Sequence, residues 1–261
     1  MAMERMMWRR LGVSSAAASL AFISACGSVD SAAPAVSNSY SANTTTAPPA
    51  TANPGVAPSS LRTGTALAAA YALQVKGRAP KTGYSRSKFG KSWVDVDRNG
   101  CDTRNDVLRA QLTNKTMKNS CKVLSGTLRD PYTNTSIYFV YGGRSEVDID
   151  HMVALSDAWQ KGAANWPYAK RVAFANDPLG LQPTESSLNR RKGDGDTATW
   201  LPPNKSYRCT YVARQVAMKK KYQLWVTKAE RNAMIAVLSK CTTLPLPQPG
   251  SQPTIAANTG G

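Results

Sequence analysis

Side chains able to build a core are confined to the middle of this 261-residue chain. Residues 26–60 are mostly Ala, Ser, Thr, Asn and Pro, with Asp30 as their single charge. Residues 244–261 are rich in Pro, Gln, Gly and Thr and carry no charge. Such segments lack the apolar area needed to offset chain entropy, so they read as a disordered tether and a disordered tail. Folding is left to residues 61–243, the length of one ordinary domain. Within it no internal repeat is visible.

Residues 1–25 read as a signal peptide: Arg5, Arg9 and Arg10 form a basic start, and Leu11 to Ile23 is an uncharged apolar stretch too short to span a bilayer. It runs into Ile23-Ser24-Ala25-Cys26, which resembles a lipobox and would make Cys26 a lipidation site. The bland alternative is an ordinary cleavage site that Cys26 happens to follow. The chain is therefore expected to be exported, either lipid-anchored on the extracytoplasmic face of a bacterial membrane or secreted if the lipobox is not used.

Four cysteines remain: Cys101, Cys121, Cys209 and Cys241. None lies in a C-x-x-C pair and His151 is the sole histidine, which argues against a structural zinc site. An even number in an exported chain implies two disulfides. Of the three pairings, Cys101–Cys121 with Cys209–Cys241 is expected, because each bridge would staple one end of the domain. The net charge is +17, nearly all of it inside the domain. An excess of that size favours a polyanionic partner, whether nucleic acid, anionic lipid or a cell-wall polymer.

Hydrophobic periodicity predicts an α+β domain dominated by helices, with one strand pair. Helices are expected over 61–75, 152–160, 168–176, from about Ser186, over 207–225, and from Thr227 to Lys240. In the last, Thr227-x-x-Glu230 has the form of a capping box. Strands are expected over 137–141, 147–149 and 179–184.

The chemistry concentrates where the only histidine stands. In Glu146-Val-Asp148-Ile-Asp150-His151 the acids alternate with apolar residues, so Asp148 and Asp150 share a face of any extended segment. A carboxylate beside a neutral imidazole suits metal-assisted hydrolysis of a phosphodiester. Alone, an Asp-His pair is more often structural. Further on, Asn189 offers a neutral oxygen, and Arg190, Arg191 and Lys192 follow it as candidate phosphate contacts. A basic run by itself is usually a solvated face.

Taken together, these stretches resemble secreted bacterial HNH (ββα-metal, His-Me finger) endonucleases, related to the nuclease domain of GmrSD-type restriction enzymes. The resemblance runs from Asp95 to Cys241. It is carried by DVDRNGCDTRNDVL, CKVLSGTLRDPYT, IDHMVALSDAWQKGA, FANDPLGLQ and SSLNRRKGDGDTATWLPPN. It implies a ββα-metal core within the disulfide-stapled α+β domain. One strand would end at His151, a second would lie near 179–184, and a helix would carry Asn189. By that resemblance Asp150 and Asn189 hold one divalent ion, magnesium or manganese, and His151 is the general base. Asp148, Asn176 and Arg104 are read as supporting residues. Where the family often places an asparagine that braces the histidine, this chain has Gly180, so either Asn176 substitutes or the brace differs.

Two further motifs are open to both a functional and a bland reading. Asp95-x-Asp97-x-Asn99-Gly100, with Asp106 at the twelfth position, matches the opening of a calcium loop, but turn chemistry explains the same clustering. Asp102 and Arg104 read as an ion pair or as phosphate contacts. Trp159, Trp166, Trp200 and Trp225 are expected in the core.

Two classes of function remain. One is an extracytoplasmic, metal-dependent endonuclease of low sequence specificity acting on DNA, RNA or both, with no obligate protein partner and membrane contact only through a lipid anchor. The other is a non-catalytic basic lipoprotein that binds extracellular DNA or an anionic envelope polymer.

Overall fold

The computed structural model of the chain describes residues 61–248, except residue 145. The signal peptide, Cys26 and the tether lie outside the described residues, as does the tail beyond residue 248. Among the described residues no helix is long and apolar enough to cross a membrane.

Among the described residues, seven α-helices and five strands follow in this order: α1 (Ala66–Ala72), α2 (Thr103–Gln111), β1 (Leu112–Met117), β2 (Val123–Asp130), β3 (Thr135–Val140), β4 (Val147–His151), α3 (Leu155–Gln160), α4 (Tyr168–Ala175), β5 (Leu181–Glu185), α5 (Ser186–Lys192), α6 (Arg208–Tyr222) and α7 (Lys228–Leu238). The fold is α+β, as the sequence implies, but with two sheets where one strand pair was expected. β1, β2 and β3 form an antiparallel meander, and β4 pairs with β5 in a separate antiparallel ribbon. The two are tied by Asp130 at the end of β2. Its buried carboxylate accepts from Thr184 Oγ1 at 2.9 Å and from the Glu185 backbone N–H at 3.2 Å.

Three of the described helices, α1, α2 and α7, start at a capping side chain. Thr65, Asp102 and Thr227 each accept a backbone N–H of the first turn, satisfying donors that the helix itself leaves free. The expected capping box is only half formed. Glu230 N–H donates to Thr227, but the Glu230 carboxylate turns inward, where it meets the Lys161 and Lys219 ammoniums. α6 stops at Gln223, whose left-handed backbone (φ 59°) ends the helix.

Three apolar clusters carry the packing. α1, α6 and α7 pack through Leu67, Val216, Met234 and Leu238. α3 and α4 close on Phe89, Phe174 and Tyr222. α2 covers the sheets through Leu108, Leu128 and Leu181. Trp159 is buried as expected, while Trp166 and Trp200 are partly buried against these clusters. Both expected disulfides are present, Cys101–Cys121 and Cys209–Cys241. Contact with the domain continues past residue 243: Leu244 O accepts from Ala66 N–H and Leu246 N–H donates to Gly64 O, each at 2.9 Å.

Candidate functional site

β4 pairs with β5 in a register that sets His151 opposite Leu181 and Asp148 opposite Thr184, and β5 runs directly into α5. Alternation along β4 buries Val147 and Ile149 in the core under α2. The same ribbon presents Asp148, Asp150 and His151 to a cleft of about 650 Å³. Asn189 of α5 faces the same cleft, with its Nδ2 3.3 Å from Asp148 Oδ2. Acid, imidazole and amide named from the sequence are thus brought to one wall.

His151 is fixed in one tautomer. Its Nε2 lies 2.8 Å from the carbonyl oxygen of Ala175. A carbonyl only accepts, so Nε2 carries the proton and Nδ1 is left as the acceptor. Trp93 stacks on the ring, with centroids 5.8 Å apart and planes at 11°. It does so from a left-handed backbone (φ 63°), which for a bulky residue stores about 1–3 kcal/mol of strain. Burial and the Arg86 guanidinium lower the imidazole pKa to about 4, against the Ala175 carbonyl and Asp150, which favour its charged form. The ring is therefore neutral at physiological pH and able to take a proton.

Of the two alternatives drawn from the sequence, the structure has the second: the histidine is braced differently, and not by Asn176. Asn176 caps its own helix, donating from Nδ2 to Val172 O at 2.9 Å, and the backbone carbonyl of Ala175 holds the imidazole instead. Gly180 contributes its carbonyl, which accepts from Met152 N–H at 2.8 Å. A side chain at Gly180 would meet the Met218 methyl at 2.7 Å, so an asparagine there would have to displace it.

Asp150 is buried and doubly held, by the Tyr132 hydroxyl at 2.7 Å and by Lys192 Nζ at 2.8 Å. This corrects the reading of the basic run. Lys192 is no surface phosphate contact but the buried counterion of Asp150, and it also donates to His151 O at 2.9 Å. Arg190 folds back on Ser186 while staying exposed, and Arg191 also extends into solvent. The cations that line the cleft are instead Lys81, Arg86 and Arg104. Lys81 is paired there with Asp194 at 3.1 Å. Asp102 and Arg104 form no ion pair: Asp102 caps α2, while Arg104 lies over the Phe139 ring.

Among the described residues no group of three or more His, Cys, Asp and Glu side chains is gathered to hold a metal ion. Asp95, Asp97 and Asp106 accordingly form no cage. Asp95 and Asp97 accept the backbone N–H groups of Asn99 and Gly100, which is turn chemistry.

Fold and cleft define a disulfide-stapled α+β domain with a carboxylate–imidazole–amide site at the junction of a strand ribbon and a helix. The chain belongs to the family of the C-terminal domain of GmrSD restriction endonucleases, whose model matches residues 102–237. The match takes in both the ribbon and α5, so the domain is nuclease-like. The chain is also 39% identical over 171 residues to an uncharacterized secreted protein of Arthroderma benhamiae, covering 65% of this chain and 81% of that one. No solved structure matches it significantly.

Proposed function

We propose that this chain is an exported, metal-dependent endonuclease of the HNH (ββα-metal) type, hydrolysing nucleic acid with low sequence specificity. The observation that carries the reading is the His151 ring. It is neutral, fixed through Nε2 to Ala175, acceptor-ready at Nδ1, and shares one cleft wall with Asp148, Asp150 and Asn189. Family membership supports a nuclease, and the relative named as secreted supports export.

The donor set fits a hard divalent cation such as magnesium or manganese. Asp148, Asp150 and Asn189 supply oxygens only, and the two hydrogen bonds to Asp150 use two of its roughly four acceptor directions. Magnesium is commonly held by one or two carboxylates plus water and substrate phosphate, so a three-acid cage is not required. Bound to Asp150 and Asn189, with Asp148 beside them, the ion would supply Lewis-acid stabilisation of charge on the phosphate and the departing 3′ oxygen.

The protein's own part is proton transfer and positioning. Nδ1 of His151 takes the proton of the water that attacks phosphorus, and the Ala175 carbonyl and Trp93 keep the ring in line. Arg86 and Arg104 hold phosphate oxygens in the cleft. Cleavage leaves 5′-phosphate and 3′-hydroxyl ends. Contacts of this kind read the backbone, not bases, so the rate should fall steeply with salt.

Plasmid and RNA digestion with magnesium or manganese, with and without chelator, tests the reading. Metal-dependent cleavage is expected. Tight binding that ignores chelator, with no cleavage under either metal, would return the chain to the non-catalytic binding class.

A further inference from the structure

A second groove, of about 320 Å³, opens beside the catalytic cleft and shares Trp93 and Arg104 with it. The proposed chemistry leaves it unused. Its far wall is Lys122 and Tyr141, with Lys122 Nζ 3.7 Å from the centroid of the Tyr141 ring. The Cys101–Cys121 disulfide also lines it and ties the segment before α2 to the β1–β2 turn.

Three features decide what the groove fits. Its size is that of a pocket for one small ligand. Its charge is positive: Arg104 and Lys122 line it, while the one carboxylate there, Asp102, is occupied by the Asn105 backbone N–H at 2.8 Å and by Asn105 Nδ2 at 2.7 Å. Its rim carries an exposed aromatic ring, Tyr141 at 51% exposure, with the Lys122 ammonium against one face. Its backbone is pinned by Tyr141 N–H to Leu124 O at 2.7 Å, so the ring projects from a fixed strand end.

We propose that this groove is a subsite for one unpaired nucleotide flanking the scissile bond, its phosphate between Arg104 and Lys122 and its base stacked on Tyr141. The inference rests on the nuclease reading and narrows its substrate. Bases inside a duplex have both faces covered by their neighbours, so only a single-stranded flank offers a face to the ring. Strands with an unpaired flank are therefore preferred over continuous duplex.

The test is binding, measured apart from cleavage. The full His151→Ala chain in chelator is titrated by fluorescence anisotropy with a labelled single-stranded oligonucleotide, its abasic counterpart, and a blunt duplex. Adding Tyr141→Ala should weaken the single strand about tenfold and leave the abasic strand and the duplex within about twofold. Tyr141→Phe keeps the ring and should keep the affinity. Lys122→Ala should weaken all three and lower the salt slope by about one. No change with Tyr141→Ala, or an equal loss on the abasic strand or duplex, overturns the subsite. Cleavage by the wild type against His151→Ala is read separately, so the nuclease assignment and the subsite fail by different results.

Discussion

Lys192 Nζ lies 2.8 Å from Asp150 Oδ1, with both side chains buried, so the acid beside the sole histidine is neutralised by a lysine two residues before Asp194. Removing one partner of such a pair leaves an uncompensated buried charge, at a cost of about 3–5 kcal/mol. Lys192→Met should therefore lower the melting temperature by about 10 °C. Arg191→Ala, at an exposed neighbour, should change stability by less than about 0.5 kcal/mol. Thermal melts of the two variants side by side check this, and equal small effects would contradict the buried pair.

His151 gives the folded chain a pH dependence just below neutrality. Its pKa is lowered to about 4, below the ordinary histidine value. As pH falls from about 6.5 towards 4, the unfolded chain takes up a proton that the folded chain refuses, so stability is lost over that window. Between pH 7.5 and 5.5 the metal-free chain should lose about 1 kcal/mol, and His151→Asn should remove that slope. Urea denaturation at the two values measures it. Because the chain has one histidine, a single imidazole NMR resonance reports the titration directly.

The legible part of the site was its local pattern. Alternation in Val147–His151 marked a strand with Asp148 and Asp150 displayed together, and the β4–β5–α5 order followed the resemblance. The orientation of the basic run was not legible from charge alone. Asn189 and Lys192 stand three apart on α5 and so share a face, which carries Lys192 inward while Arg191 points out. β1 was missed because LTNKTM has only Leu112 buried, followed by a run of exposed positions, and so shows no alternation. Trp93 and Arg86 reach the imidazole from segments outside the quoted stretches, and Ala175, though within FANDPLGLQ, acts through a backbone carbonyl that no side-chain pattern marks. Tyr132 stood within a quoted stretch, yet only the tertiary fold brings its hydroxyl to Asp150.

A buried ion network joins the helices behind the site. Lys161 contacts Asp157, Asp196 and Glu230, and Lys219 contacts Asp157 and Glu230, all at 2.6–3.0 Å. Arg78 closes it from the N-terminal side, onto Asp157 and Asp196. Burial raises the Asp157 carboxyl, but Lys219 and Lys161 outweigh it and hold its pKa below the usual value. That contribution is present above the ordinary aspartate range and is lost as pH falls through the depressed value. Burial likewise pulls Lys219 down, and Asp157 and Glu230 outweigh it, so its share is lost only as pH rises above the ordinary lysine range. Glu230→Gln should cost about 3–5 kcal/mol near neutral pH while leaving every cleft side chain in place. Chemical denaturation reads this, and a loss under 1 kcal/mol would mean that the network adds little.

The central claim is that His151 is the general base. Cleavage of DNA and RNA at saturating magnesium or manganese, wild type against His151→Ala, tests it most directly. General-base catalysis predicts a loss of at least about 100-fold, with nucleic-acid affinity in chelator unchanged within a few-fold. Cleavage by His151→Ala within about tenfold of wild type would contradict the account.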